Sequence, residues 1–396
     1  MKTRRGLIDH RDMPPEALSP VGAAGAGPRA SKSRSGSRLR LGTDDRDQAS
    51  PSVLASTSPL HKGRRPASES LAPTDNAGPS HGSDDHVPVL LAEVLAGLDP
   101  RPGGRYIDGT AGRGGHSAAI LERSAPDGML LALDADPVAV EAVRVRLSPF
   151  GSRAVVVQMN FRDIAAQVAA QGDGWAAGQI DGLLLDLGLS SPQLAHPERG
   201  FSFATNGPLD MRFDPRSATT AEDLVNDLSE GDLADLIYRY GEEPRSHRVA
   251  RTIVDARTRG RLTSTAQVAA LVERALGRRS GLHPATRVFQ ALRIAVNDEL
   301  DTLTAVLPQA VSLLRPGGRL AIIAFHSLED RIVKRFLQQE MATCVCPGSQ
   351  PVCTCTHRPT MRAVSRGAVM AGDDEVRSNR RARSARLRVA ERLSAS

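Results

Sequence analysis

Apolar residues recur at Val87, Leu90, Leu91, Val94, Leu95 and Leu98, a spacing of three and four that predicts an amphipathic helix over residues 87–98. The period then changes. Tyr106 and Ile107 form a short strand ending at Asp108, and the cluster Gly109-Thr110-Ala111-Gly112-Arg113-Gly114-Gly115-His116 leads into a second helical pattern at Ala118, Ala119, Ile120 and Leu121. Residues 129–133, 154–158 and 182–185 are further strand-length apolar runs, the first closed by Asp134 and the last by Asp186, with a helix expected over 139–147. Strands alternating with helices in this way predict an α/β fold with a parallel sheet. From residue 192 to 282 no comparable apolar strand occurs. Residues 221–240, 244–258 and 265–276 instead read as amphipathic helices, so a helical insertion is expected to interrupt the sheet. The alternation resumes with one helix over 284–314, a turn at Pro316-Gly317-Gly318 and a strand over 320–325. There is no internal repeat.

Length and composition add boundaries to this pattern. At 396 residues the chain suits two to three domains, and its 26 Pro and 35 Gly suggest that part of it does not fold. Residues 1–85 contain no Phe, Tyr or Trp and are rich in Ser, Pro, Gly and charge, which predicts a disordered N-terminal extension. Its basic first half (Arg29, Lys32, Arg34, Arg38, Arg40) leaves contact with nucleic acid open. No apolar run is long enough to cross a membrane, and the start lacks an apolar export signal, so a cytoplasmic protein is expected.

The formal net charge of +6 matters because of where it sits. Between residues 358 and 392 there are ten Arg against four acids, an excess equal to that of the whole chain. A basic C-terminal tail over 358–396, in contact with phosphate or simply solvated, is the expectation. Arg245, Arg248 and Arg251 step by three along one helix face, as a phosphate stripe or as partners of Glu242, Glu243 and Asp255. Arg287, Arg293, Arg331, Lys334 and Arg335 add positive charge near the expected cleft. Cys344, Cys346, Cys353 and Cys355 form two Cys-x-Cys pairs, with His357 as a spare ligand. Structural zinc sites more often use two-residue spacers, so no metal is assigned.

A glycine turn after a first strand lets the backbone approach a ligand, and the following helix N-terminus offers free N–H groups to negative charge. Asp134, ending the next strand, stands where an acid holds ribose hydroxyls. Dinucleotide and adenosyl-methionine enzymes share this layout. Three features favour the methyl donor: Asp108 directly before the glycines, Asp186 followed by the polar loop Leu187-Gly188-Leu189-Ser190-Ser191-Pro192-Gln193, and the Pro-Gly-Gly turn before the fifth strand.

Six segments in order carry a closer likeness: 106–116, 181–193, 199–203 (Arg-Gly-Phe-Ser-Phe), 207–212 (Gly-Pro-Leu-Asp-Met-Arg), 283–290 and 325–336. They closely resemble the small-subunit rRNA cytosine-N(4) methyltransferase H family, from about residue 86 to the C-terminus. The resemblance implies a class I, Rossmann-like methyltransferase domain (86–195 and 284–340) with an inserted all-helical domain (196–283), then a Cys-containing loop (341–357) before the tail. It implies S-adenosyl-L-methionine as cofactor and the exocyclic N(4) amine of a decoding-region cytosine in 16S rRNA as acceptor. The partner would be 16S rRNA or the small ribosomal subunit, no membrane is involved, and a homodimer is allowed. Cofactor contacts carried by motif fall on Gly114, Gly115, His116, Asp134, Phe161, Asp186 and Gln193. For catalysis the expected residues are Ser191, whose hydroxyl would hold the amine protons, and His326, which would contact the base. Ser327 and Asp330 are expected to cap the helix that follows. Two rivals stay open: a DNA amino-methyltransferase, which should carry a Pro-Pro-aromatic loop, and a non-catalytic RNA-binding assembly factor on the same fold.

Overall fold

The apolar runs form strands because each is covered on both faces, as parallel sheets require. The computed structural model describes residues 88–394 apart from 173, 174, 278–280, 282, 348 and 351, and without the side chains of Ser191 and Pro192; the extension expected over 1–85 lies outside the described residues. Strands β1 (Arg105–Asp108), β2 (Met129–Asp134), β3 (Ala154–Gln158), β4 (Ile180–Asp186) and β5 (Leu314–Ala324) are parallel, while β6 (Met361–Ala363) and β7 (Arg386–Arg392) run antiparallel. The order is β3-β2-β1-β4-β5-β7-β6. Leu130, Leu131, Ala132 and Leu133 alternate between two cores, one on each face, and all are fully buried. Helices α1 (Leu91–Leu98), α2 (Gly115–Arg123), α3 (Pro137–Leu147) and α4 (Ile164–Ala170) precede or link the first strands. The first is shorter than its apolar period because Leu90 takes a left-handed conformation at φ 55°.

Between β4 and β5 lie α5 (Ser191–Ala195), α6 (Ala221–Asp227), α7 (Glu230–Gly241), α8 (Ser246–Arg257), α9 (Thr265–Leu276), α10 (Ala285–Asn297) and α11 (Glu299–Leu313). Two of these breaks were not expected. The helix read over 221–240 is split because the Ser229 side chain accepts the N–H of Asp232 and caps a new start. The helix read over 284–314 is split at Asp298, φ 49°, where the Asn297 side chain accepts from Phe213 N at 2.7 Å and donates to Met211 O at 2.8 Å. The split changes the domain boundary. On α10, Val288, Phe289 and Leu292 join the insert's own core with Ile237, Ile253 and Val272, whereas on α11 Leu303, Val306 and Leu307 pack on the sheet beside Leu183 and Leu185. The insert therefore ends near Asp298 rather than at residue 283.

The basic segment, described over residues 358–394, is not a tail. In β7, Leu387, Val389 and Ala390 are buried, and the strand pairs with β5 from Arg319↔Glu391 to Ala324↔Arg386. Two of its three arginines meet a carboxylate, and the third, Arg392, donates to Val311 O. Arg386 and Arg388 donate to Asp330 at 3.0 and 2.7 Å, and Glu391 takes Arg319 and Arg362. Asp330 lies in α12 (Ser327–Glu340), whose start also departs from expectation. His326 is the N-cap and Glu329 the reciprocal partner, while Ser327 donates to Glu242. Burial pulls Asp330 up, but Arg388 and Arg386 outweigh it and hold its carboxyl below the usual range. Asp330→Ala leaves Arg388, only 17% exposed, without its carboxylate and is expected to cost about 2–4 kcal/mol, read as a lower urea midpoint. A depressed pKa means this contribution is present at neutral pH and fades as pH falls through the carboxylate range, so the gap to the variant should narrow in acid. Among the described residues no helix is long and apolar enough to cross a membrane.

Candidate functional site

Strand order reverses between β1 and β4, and the carboxyl ends of parallel strands at such a point form a crevice. Three acids end these strands. Asp108 accepts from Ser117 Oγ at 2.6 Å and Thr110 N at 3.1 Å, and burial pushes it up to about 6. Asp134 accepts from Gly112 N at 2.8 Å and Asp136 N at 2.9 Å, tying the turn after β1 to the turn after β2; burial pushes it up to about 7. Asp186 places Oδ2 at 3.7 Å from His116 Nε2, while its enclosed Oδ1 has no hydrogen-bond partner among the described residues. Burial and then the Asp108 charge push Asp186 up to about 8, with Arg381 opposing. His116 is pulled down to about 4 by burial, so its imidazole is neutral at pH 7.

The glycine turn is shaped by two residues in particular. Gly114 caps α2 at φ 74°, a conformation costly for any side chain, and its N–H closes onto Ala111 O at 2.7 Å. A Cβ on Gly115 would meet Pro88 Cγ at 2.4 Å, so only glycine lets residue 88 cover the helix start.

Gly115, His116, Asp134, Phe161, Asp186 and Gln193 all line one cleft. Gly114 lies behind it, shaping the turn. The Ser191 side chain lies outside the described residues. Gln193 is more constrained than its motif suggests: Oε1 accepts from Ser190 N at 2.9 Å and Nε2 donates to Asp136 at 3.0 Å. Ser190-x-x-Gln193 is thus a capping box for α5, and Asp136, held in turn by Arg199 at 2.8 Å, anchors the whole loop. That pattern was legible in the sequence. His326 is not in the wall. It caps α12, with Nε2 at 3.1 Å from Glu329 Oε1, and its neighbours Phe325 and Glu329 face the cleft instead.

Sequence reasoning missed Asn297, Glu299, Phe213 and Arg381, which also line the cleft. Asn297-Asp298 inside a helical pattern was the available signal, since these residues favour breaks. Arg381 gave none, being one arginine among ten. Several arginines expected to offer charge are taken: Arg293 makes a bidentate pair with Glu299 at 2.6 and 2.8 Å, Arg287 and Arg245 meet Glu243, Arg331 meets Glu242, and Arg251 meets Glu230. Lys334, Arg335 and Arg248 are exposed.

Chemically, the cleft joins a helix start with two carboxylates, Asp134 and Asp186, whose ionisation is suppressed by burial. Such a wall gains from a ligand that brings hydroxyl donors and positive charge.

Residues 83–393 match the MraW methylase family. The chain is 56% identical over 312 residues to the ribosomal RNA small subunit methyltransferase H of Thermomicrobium roseum, covering 78% of its own length and 94% of the relative. It is 50% identical over 312 residues to the protein of the same name from Dehalococcoides mccartyi, covering 78% and 86%. Among solved structures it is matched to a putative rRNA-methylase from Clostridium thermocellum with TM-score 0.37 and 10% identity, over 78% of this chain and 100% of that one. With the family matched over most of its length, and with relatives at half identity or more, the chain belongs to the MraW methylase family.

Proposed function

We propose that the protein transfers a methyl group from S-adenosyl-L-methionine to the N(4) amine of a cytosine in the decoding region of 16S rRNA, acting in the cytoplasm. The observation that carries this reading is the cleft itself: Asp134 and Asp186 at the ends of β2 and β4, the two strands that flank β1, in a chain whose relatives are named ribosomal RNA small subunit methyltransferase H. The enclosed Oδ1 of Asp186, without a hydrogen-bond partner among the described residues, fits a cationic cofactor, because an arriving positive charge adds to that of Arg381 in favouring the ionised carboxylate.

In this reading the Asp134 carboxylate accepts from the ribose hydroxyls, Gly115 and His116 offer helix N-terminal N–H groups, and Phe161 lends an aromatic wall. Gln193 keeps the 190–193 loop in place. When bound, S-adenosyl-methionine supplies a methyl group activated by a sulfonium. The acceptor amine is a poor nucleophile, since its lone pair is delocalised into the ring, so orientation carries most of the rate. Acceptors on the 190–192 loop, the Ser191 hydroxyl among them, would hold the amine protons and turn the lone pair toward the methyl. His326 serves by fixing the start of α12, which sets Phe325 and Glu329 against the base. A homodimer follows only from the resemblance.

The chain lacks the Pro-Pro-aromatic loop of a DNA amino-methyltransferase. Mapping modified nucleotides in small-subunit rRNA from cells with and without the protein tests the reading: one cytosine should lose a methyl group on its amine. An unchanged map would overturn it.

A further inference from the structure

Far along the chain from these motifs, the segment joining α12 to β6 carries Cys344, Cys346, Cys353 and Cys355. Their four Sγ atoms lie within 4.8 Å of one another. Cys353 and Cys355 are 3.5 Å apart and Cys355 and Cys344 3.8 Å apart, far beyond the roughly 2.05 Å of a disulfide. A zinc–sulfur bond of about 2.3 Å puts the corners of a regular tetrahedron about 3.8 Å apart, so the spacing suits one ion at the centre. A four-iron cluster would hold each sulfur on a different metal and spread them farther.

Backbone groups meet three of the four sulfurs, while Cys353 Sγ lies 3.9 Å from Cys355 O. Cys346 N donates to Cys344 Sγ at 3.4 Å, the Cys346 thiol is met by the backbone of Thr354 and Cys355, and the Cys355 thiol by that of Val345 and His357. Each Cys-x-Cys arm thereby serves the sulfur of the other, which compensates for the short spacer within each arm. His357 is committed elsewhere, with Nε2 at 3.0 Å from Gln339 O, and the ends of the excursion meet through Thr360 N to Glu340 O at 2.8 Å. Among the excursion's described residues none between those ends is buried: Val345 is 46% exposed and Val352 69%. A loop without an apolar core needs a different staple.

We propose that the four thiolates bind one zinc ion in a closed, structural site that pins this loop against the end of α12. Zinc replaces the thiol protons, so up to four are released and four bonds to sulfur form, with no change of oxidation state.

The test uses the full chain, purified in reductant without chelator. Elemental analysis should find about one zinc per chain, and the double variant Cys344→Ser/Cys355→Ser should lose most of it. Because that variant can misfold, the wild-type protein is also stripped, reduced and titrated with cobalt, which should produce the intense visible and sulfur-to-metal bands of a tetrahedral thiolate site. Zinc-free protein whose reduced thiols give no cobalt bands would overturn the proposal. So would zinc retained in the Ser variant, which would place it elsewhere, for instance on Glu299, His326 and Glu329. Two disulfides found in the protein isolated without oxidant would do the same.

Discussion

Asp186→Asn is expected to lower methylation of small-subunit rRNA about a hundred-fold, the usual consequence of misplacing a reacting pair, while raising the melting temperature. The two effects share one cause. Asp186 is held at the end of β4 with an enclosed oxygen and a pKa pushed up to about 8. In the unfolded chain the same carboxyl ionises near pH 4, so between pH 4 and 8 the folded state keeps a proton that the unfolded state has lost. A raised carboxyl pKa therefore costs stability progressively as pH rises through that window, and Asn removes the cost. For ligand binding the sign runs the other way. A cationic cofactor favours the ionised carboxylate, so binding below pH 8 must expel the proton, and affinity should climb as pH approaches 8 and then level off. Asp134, pushed up to about 7, adds a similar rise at lower pH. In the Asn variant only that lower rise should remain. Calorimetric titrations from pH 6 to 9, in buffers of different ionisation enthalpy, read both the affinity and the protons released. A variant with the wild-type profile would remove Asp186 from the binding site.

For Asp134→Ala the loss should appear in cofactor affinity first. A carboxylate accepting from ribose hydroxyls is worth about 1.5–3 kcal/mol, or roughly ten- to a hundred-fold in dissociation constant. The structure argues for the upper part of that range. Asp134 also fixes the N–H groups of Gly112 and Asp136, and Asp136 in turn holds Gln193 and Arg199, so its removal loosens both the glycine turn and the loop after β4. Asp134→Asn keeps one acceptor oxygen and should lose less. Unchanged binding in a variant with native circular dichroism would reassign the residue.

How far the sequence carries depends on the range of the interactions involved. The glycine turn, Asp134 and Asp186 are legible because each is a local solution: a strand end, a tight backbone, a helix start. The same holds for the continuous apolar runs of β2 and β4, since burial on both faces leaves that mark on any chain. Even the β7 strand was written locally, in the alternation of Arg386, Leu387, Arg388 and Val389, but the density of arginine hid its period of two.

What the sequence by itself determined, then, is the run of α/β units, the presence of helices between β4 and β5 and the acids that end the strands, because periodicity and turn chemistry act over a few residues. The tertiary structure alone decided the rest. Asp330 neutralises Arg386 and Arg388 across 56 and 58 residues of chain, which removes a charge cost from docking this basic segment on the sheet. Asn297 broke a helix by binding Met211 and Phe213, and Glu299 took the charge of Arg293. Arg381 came to lie beside Asp186 only because β7 carried the C-terminus back to the cleft. A charge has no assigned partner until the chain has folded, and its role depends on which opposite charge or orphaned backbone group packing brings within reach.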